Sequence, residues 1–209
     1  MIDSKQKEQD PDLGLVQECQ RVLALGEGAQ GSFRPLYEAY KDRVYSICYR
    51  ITGNATDALD ASQEAFSQVF RRLQDFRFES KFSSWVYRVA VNASIDLKRR
   101  SSSRKASSLD TLQSGPVEKE RPQFEDIRHE HPGSVASRRE LEKEIQSAIL
   151  RLSPKLRTVI VLRYVEGLPY ERIAESLDVS LGTVKSRLSR AHAAMDRELS
   201  PLIDRHFRA

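Results

Sequence analysis

Hydrophobic positions recur every three or four residues along most of this chain, a spacing that predicts helices rather than strands. Leu15, Val16, Cys19, Val22 and Leu23 mark one side of a first helix, which opens at Asp12 and closes at Gly26-Glu27-Gly28. A second starts after Gly31-Ser32 and carries Phe33, Leu36, Tyr37, Tyr40, Val44, Ile47 and Cys48 until Thr52-Gly53-Asn54 stops it. A third opens near Thr56-Asp57 and turns Leu59, Ala65, Phe66, Val69, Phe70 and Leu73 inward. A short loop, Asp75–Ser80, leads into a fourth helix that reaches about Arg100. Four short, closely connected helices predict a compact bundle.

The rhythm breaks at residue 101. Ser101–Ser108 is basic and serine-rich, and the stretch beyond it contains Pro116, Pro122 and Pro132 among mixed charges. Such a composition buries too little apolar surface to offset the entropy of ordering it. A flexible linker is therefore expected over residues 101–136. Helices resume near Ser137, with Leu141, Ile145, Ile149 and Leu152 in one stripe. Ser153-Pro154 starts another helix, with proline at its first position. Thr158–Val165 is apolar nearly throughout, as a buried helix requires, and Gly167 closes it. The fold class expected is all-α, with two small helical domains at 12–100 and 137–209.

Tyr170–Arg190 is the most informative segment. Ile173, Ala174 and Leu177 give a short helix one apolar side, and Leu181, Val184, Leu188, Ala191 and Met195 do the same for the next. Asp178 tolerates the left-handed backbone of a tight turn, and Ser180 is placed to cap the second helix. Thr183, Lys185, Ser186, Arg187, Ser189 and Arg190 remain along the outer side. They are donors to phosphates and base edges, on an element as wide as the major groove admits. A basic amphipathic helix in a plain helical hairpin has the same periodicity; the run of donors favours a DNA-reading helix-turn-helix.

Composition narrows the classes further. Hydrophobic residues make up 39% and charged residues 31%, enough for compact helical cores in a soluble chain. The net charge of +4 is modest for a nucleic-acid binder, so its distribution counts for more. Between Arg71 and Lys105 ten basic residues face only Asp75, Glu79 and Asp96, a local charge of +7. Cys19 and Cys48 support neither a disulfide framework nor a zinc spacing and read as packed thiols. His129 and His131 sit in a charged, proline-containing stretch without cysteines, which reads as linker rather than metal site. No metal or cofactor is expected. The polar N-terminus has no apolar signal segment and no run reaches membrane-spanning length, so a cytoplasmic location is expected.

Two motifs carry a family resemblance. Asp57-Ala58-Leu59-Asp60-Ala61-Ser62-Gln63-Glu64-Ala65-Phe66, followed by Phe82–Asp96 with its Trp85, Arg88 and Asn92, resembles the second conserved region of bacterial sigma factors. Leu152–Arg157, Glu166–Tyr170 and Gly182–Arg190 resemble their fourth region. Together they are similar to the extracytoplasmic-function (ECF) group, which keeps only these two regions, and the resemblance covers 12–100 and 137–200. It implies a region 2 bundle and a region 4 helix-turn-helix in an alternative sigma factor. Such a protein binds core RNA polymerase, directs it to promoter DNA, assists melting, has no catalytic site of its own and is held by an anti-sigma factor.

The resemblance also assigns residues. Asp57, Asp60, Gln63 and Glu64 would dock onto the clamp helices of the polymerase's largest subunit, and a carboxylate-and-amide surface suits a basic partner. Acids at a helix start also match its dipole, which accounts for Asp57 better than for Glu64. Phe76, Lys81, Trp85, Arg88 and Asn92 would read the minus-ten element as a single strand, by stacking and edge hydrogen bonds. Trp85 reads equally well as core, and Asp96 stands at ion-pair spacing from Arg99 and Arg100. Thr183, Lys185, Ser186, Arg187, Ser189 and Arg190 would contact the minus-thirty-five element. Two positions depart from the family pattern. Pro169 stands where a capping Ser is common, a loss of about 1 kcal/mol, and Leu59 replaces a commonly acidic residue. The competing readings are a helix-turn-helix regulator with a sensing or dimerising domain, and a nucleic-acid-modifying enzyme using Asp57, Asp60 and Glu64 as metal ligands.

Overall fold

The computed structural model describes the backbone of residues 10–26, 30–107 and 132–207, and side chains over 10–26, 31–101 and 140–200. Every regular element among these residues is helical. The first group comprises α1 (Leu13–Ala24), α2 (Gln30–Thr52), α3 (Ala55–Arg72) and α4 (Phe82–Ser107). The second comprises α5 (Pro132–Arg151), α6 (Pro154–Ile160) continued by a π-helical turn at Val161–Val165, α7 (Tyr170–Leu177) and α8 (Leu181–Phe207).

Local chemistry sets most boundaries. Gly53 takes a φ of 90° that ends α2, and Asn54 then caps α3 by accepting from the Asp57 amide at 2.8 Å. The start of α4 is capped from a distance: the Phe82 amide donates to the Asp10 carboxylate at 2.8 Å. Asp178 adopts φ 52°, ψ 53° after α7, and the Ser180 hydroxyl accepts from the Thr183 amide at 3.1 Å. Both turn assignments made from sequence hold.

Two helices are longer than their apolar rhythm implies. α4 runs to Ser107, so residues 101–107, expected as linker, are helical, and α5 begins at Pro132 instead of Ser137. Polar helix extensions carry no hydrophobic period, which is why periodicity misses them. Residues 108–131, including the His129 and His131 pair, lie outside the described residues.

The four N-terminal helices enclose Val44, Ile47, Cys48, Val69, Leu73, Val86, Tyr87 and Ala90. Ala58, Ala61 and Ala65 line the inner face of α3 and let α2 and α4 approach it closely. Both thiols are buried, and burial pushes the Cys48 thiol up to about 11, keeping it protonated at neutral pH. In the second group Val159, Ile160, Val161, Leu162, Ile173, Val184, Leu188 and Ala191 make the core. Fully burying each larger aliphatic side chain contributes about 1.5–3 kcal/mol. The π turn, closed by the Glu166 amide on the Val161 carbonyl at 3.2 Å, inserts an extra residue into the helix. Tyr164 and Val165 consequently point outward, 62% and 38% exposed, where an unbroken apolar helix was expected to bury them.

The two groups pack on each other through one continuous set of buried side chains. Arg157, only 9% exposed, lies at the seam. Its guanidinium donates to the carbonyls of Ile149 (3.2 Å), Leu150 and Leu152 (3.0 Å) at the end of α5, and to Ile51 (2.7 Å) at the end of α2. One cation thus serves two helix C-termini, where the backbone dipoles leave partial negative charge. Beside it Gln146 donates to the Tyr49 and Arg50 carbonyls, both at 3.4 Å, and accepts from the Arg50 side chain at 2.9 Å.

Candidate nucleic-acid interface

The second helix of the helix-turn-helix, α8, is held from behind by Val184, Leu188 and Ala191, none more than 1% exposed. Lys185, Ser186, Ser189 and Arg190 are exposed on the opposite side, while Thr183 and Arg187 are half-buried. Thr183 belongs to the cap: its hydroxyl shares a 2.9 Å hydrogen bond with Ser180. Ser186 donates to the Thr183 carbonyl at 3.0 Å, and Arg190 Nε to the Ser186 carbonyl at 3.2 Å. The second bond lays the exposed Arg190 back along the helix. In front of this pair, α7 starts at Pro169 without a side-chain cap, as the proline implies.

The polar side of α3 is a second surface. Asp60, Gln63 and Glu64 are exposed, Asp57 is half-buried, and Leu59 stands among them at 47% exposure. Asp57 takes part in the helix cap, accepting from the Asn54 side-chain amide at 2.8 Å. Glu64 accepts from Gln68 at 2.8 Å and pairs with Arg71 at 3.3 Å. An exposed pair of this kind contributes roughly 0–1 kcal/mol and yields readily to another partner.

On α4 and in the loop before it the sequence-assigned residues separate. Asn92 is exposed and Lys81 half-buried. The half-buried Trp85 ring lies 5.1 Å from Phe76 and 5.7 Å from Phe82, so it packs partly on the core and leaves part of its surface to solvent. Phe76 corrects an expectation: instead of offering a flat surface, its ring is 7% exposed beneath Phe78, Phe82 and Trp85. The Gln20 side chain ties down its carbonyl at 2.9 Å and that of Leu73 at 2.8 Å, drawing the loop inward. Phe78, at φ 55°, covers it. Asp96 pairs with Arg99 at 3.1 Å, the ion-pair alternative read from spacing. Arg88 turns to the other domain, donating to the Ser176 carbonyl at 3.1 Å and to that of Glu175.

Periodicity alone did not find Arg157 or Glu166. Arg157 was signalled by a charge beside an apolar run, which demands buried partners. Glu166 has its carboxyl raised to about 7 by burial, despite the opposing pull of Arg43. Among the described residues no group of acids, histidines and cysteines is arranged to hold a metal ion. Asp57 and Glu64 already have side-chain partners, and Asp60 faces solvent further along the same helix.

Residues 36–104 match sigma-70 region 2, and residues 142–195 match sigma-70, region 4. The ECF RNA polymerase sigma factor SigW of Bacillus subtilis (strain 168) is 35% identical over 184 residues, 87% of this chain and 96% of that protein. The ECF RNA polymerase sigma-E factor of Escherichia coli (strain K12) is 35% identical over 204 residues, 95% and 99% of the two chains. Among solved structures, CnrH in complex with the cytosolic domain of CnrY superposes with a TM-score of 0.62 at 22% identity, over 90% of this chain and 96% of that one. The fold is that of a two-domain, sigma-70-type transcription factor. The chain belongs to the ECF group of RNA polymerase sigma factors and acts as an alternative sigma factor in transcription initiation.

Proposed function

We propose that this sigma factor uses three separate surfaces: α3 to dock on core RNA polymerase, α4 to hold the melted minus-ten strand, and the front of α8 to read the minus-thirty-five element. The observation that carries the reading is the segregation of exposed polar side chains, Asp60, Gln63 and Glu64 on α3 against Lys185, Ser186, Ser189 and Arg190 on α8. Acids face a protein partner and cations face nucleic acid. Asp57 supports the docking surface through its cap, and Thr183 and Arg187 complete the upstream reader. On α4 and at its entry, Asn92 offers a donor and an acceptor to a base edge, the half-buried Trp85 a stacking surface, and Lys81 and Arg88 phosphate contacts. Phe76 braces Trp85 from beneath.

The chain carries no chemistry of its own; the polymerase supplies it. It works in the cytoplasm, where that polymerase is. A solved structure described as the sigma factor RpoE in complex with the anti-sigma factor NepR from Bartonella quintana, similar in fold to this chain, supports an anti-sigma partner here as well. The docking surface is tested by Gln63→Ala combined with Glu64→Ala. The double variant is expected to bind core polymerase at least about tenfold more weakly, a loss of about 1.4 kcal/mol, with unchanged helical content. Unaltered polymerase affinity removes α3 as the docking surface.

A further inference from the structure

The loop between α3 and α4 is tied at both ends by the N-terminal segment, none of whose residues belongs to the three surfaces. At the loop's entry Gln20, half-buried on α1, donates from Nε2 to the Leu73 carbonyl at 2.8 Å and to the Phe76 carbonyl at 2.9 Å. A side-chain amide has two such donors, so none is left for a DNA phosphate. At the loop's exit Asp10 Oδ2 accepts from the Phe82 amide at 2.8 Å, and its Oδ1 from the Asp12 amide at 3.2 Å. Asp12 accepts in turn from the Tyr40 hydroxyl, and the Tyr40 ring meets Phe82 at 5.6 Å. The anchors are therefore themselves held by α2.

Both anchors act on the ground beneath Trp85. The Phe76 ring lies 5.1 Å from Trp85 and 5.0 Å from Phe78, which keeps a φ of 55°. A bulky aromatic residue takes that backbone region only where its surroundings hold it there, and such positions gather at ligand-binding sites. Asp10 caps the helical turn that bears Trp85, in which the Ser84 and Trp85 amides donate to the Lys81 carbonyl at 3.1 and 3.3 Å. A recognition surface discriminates only when its supports hold it within about 0.5 Å of the productive geometry. We infer that Gln20 and Asp10 are positioning residues of the minus-ten reader: they hold the loop and Trp85 in the shape that discriminates bases, without touching DNA themselves. The inference rests on the reading of α4 as the minus-ten surface.

Three substitutions test it. Gln20→Leu keeps the side chain's bulk and removes its donors, and Asp10→Ala uncaps α4 at the other end of the loop. Gln20→Lys supplies an ammonium with donors for both carbonyls, beyond a helix C-terminus that favours a cation. Each full-length variant is assembled with core RNA polymerase and transcribes promoter libraries randomised separately at the minus-ten and minus-thirty-five elements. Trp85 is the sole tryptophan of the chain, so its emission reports its own setting. Gln20→Leu and Asp10→Ala are each expected to lower base preference at the minus-ten element about fivefold or more. Minus-thirty-five preference should stay as in wild type, and Trp85 emission should shift to the red. Gln20→Lys should restore both preference and emission. Circular dichroism checks folding, and either variant carries the test if the other fails to fold. Unchanged minus-ten preference, or an equal loss at both elements, overturns the positioning role. Asn92→Ala is assayed alongside. Unchanged minus-ten preference there removes the α4 reading and this inference with it; a changed one leaves a failure at Gln20 and Asp10 against the positioning alone.

Discussion

Replacing Arg157 with Leu tests whether one buried cation holds two helix ends. The substitution keeps much of the apolar stem but leaves the carbonyls of Ile149, Leu150, Leu152 and Ile51 without their shared donor. A buried acceptor stripped of its partner costs about 1–3 kcal/mol. The four losses do not add in full, because Ile149 also accepts from the Leu152 amide at 3.2 Å. Removing the guanidinium relieves its own burial, which already depresses its pKa. Net destabilisation should therefore be about 3–5 kcal/mol, well below the full sum of the four unsatisfied acceptors. At about 4–8 °C per kcal/mol for a domain of this size, the transition of residues 137–209 should fall by at least roughly 12 °C. Arg157→Lys should recover less than half of the loss, since a compact ammonium cannot span the carbonyls that a fork reaches. Urea unfolding followed by circular dichroism measures both. A loss below about 1 kcal/mol for Arg157→Leu would show that these bonds do not hold the seam.

Two further outcomes follow from side chains already placed. Glu166 binds a proton more tightly folded, at about 7, than its ordinary 4.5, with Arg43 and the Tyr87 hydroxyl facing it. Its contribution is present below about 4.5 and is lost as pH rises through about 7, so urea midpoints should fall across that window and Glu166→Gln should flatten the fall; an unchanged slope assigns the dependence elsewhere. On α8, Arg190→Ala should relax preference at one upstream base pair at a cost of about 1–3 kcal/mol, whereas Arg187→Ala should weaken all sequences and flatten the salt dependence. Promoter-library transcription across salt concentrations separates the two, and a uniform loss with Arg190→Ala would remove it as a base reader.

The helices with an apolar face were legible from sequence because burial imposes a three-to-four rhythm; α8 follows it nearly residue for residue, whereas on α3 Leu59, expected inward, is 47% exposed and the small Ala58 and Ala61 take the inner face beside it. Turns were legible where one residue type does a job others cannot, as at Asp178, Ser180 and Gly53. Long-range contacts left no local signature. Nothing in the spacing of Arg88 says that its donors meet carbonyls at Glu175 and Ser176, and Phe76 was misplaced because Gln20, distant in sequence, draws its loop inward. The polar ends of α4 and α5 were missed for the opposite reason: they have no face to bury. The family motifs suggested which residues to assign to partners, and the geometry adds that Asp57 and Thr183 take part in their own helix caps.

The central claim is that this chain acts through polymerase and not alone. Purified full-length protein, with and without core RNA polymerase from the same source, should be assayed for run-off transcription on genomic DNA fragments, with duplex binding measured in parallel. Discrete transcripts that require both components, and no tight sequence-specific duplex binding by the chain alone, are the expected result. Tight specific duplex binding without polymerase, and no added transcripts with it, would contradict the account and favour a conventional helix-turn-helix regulator.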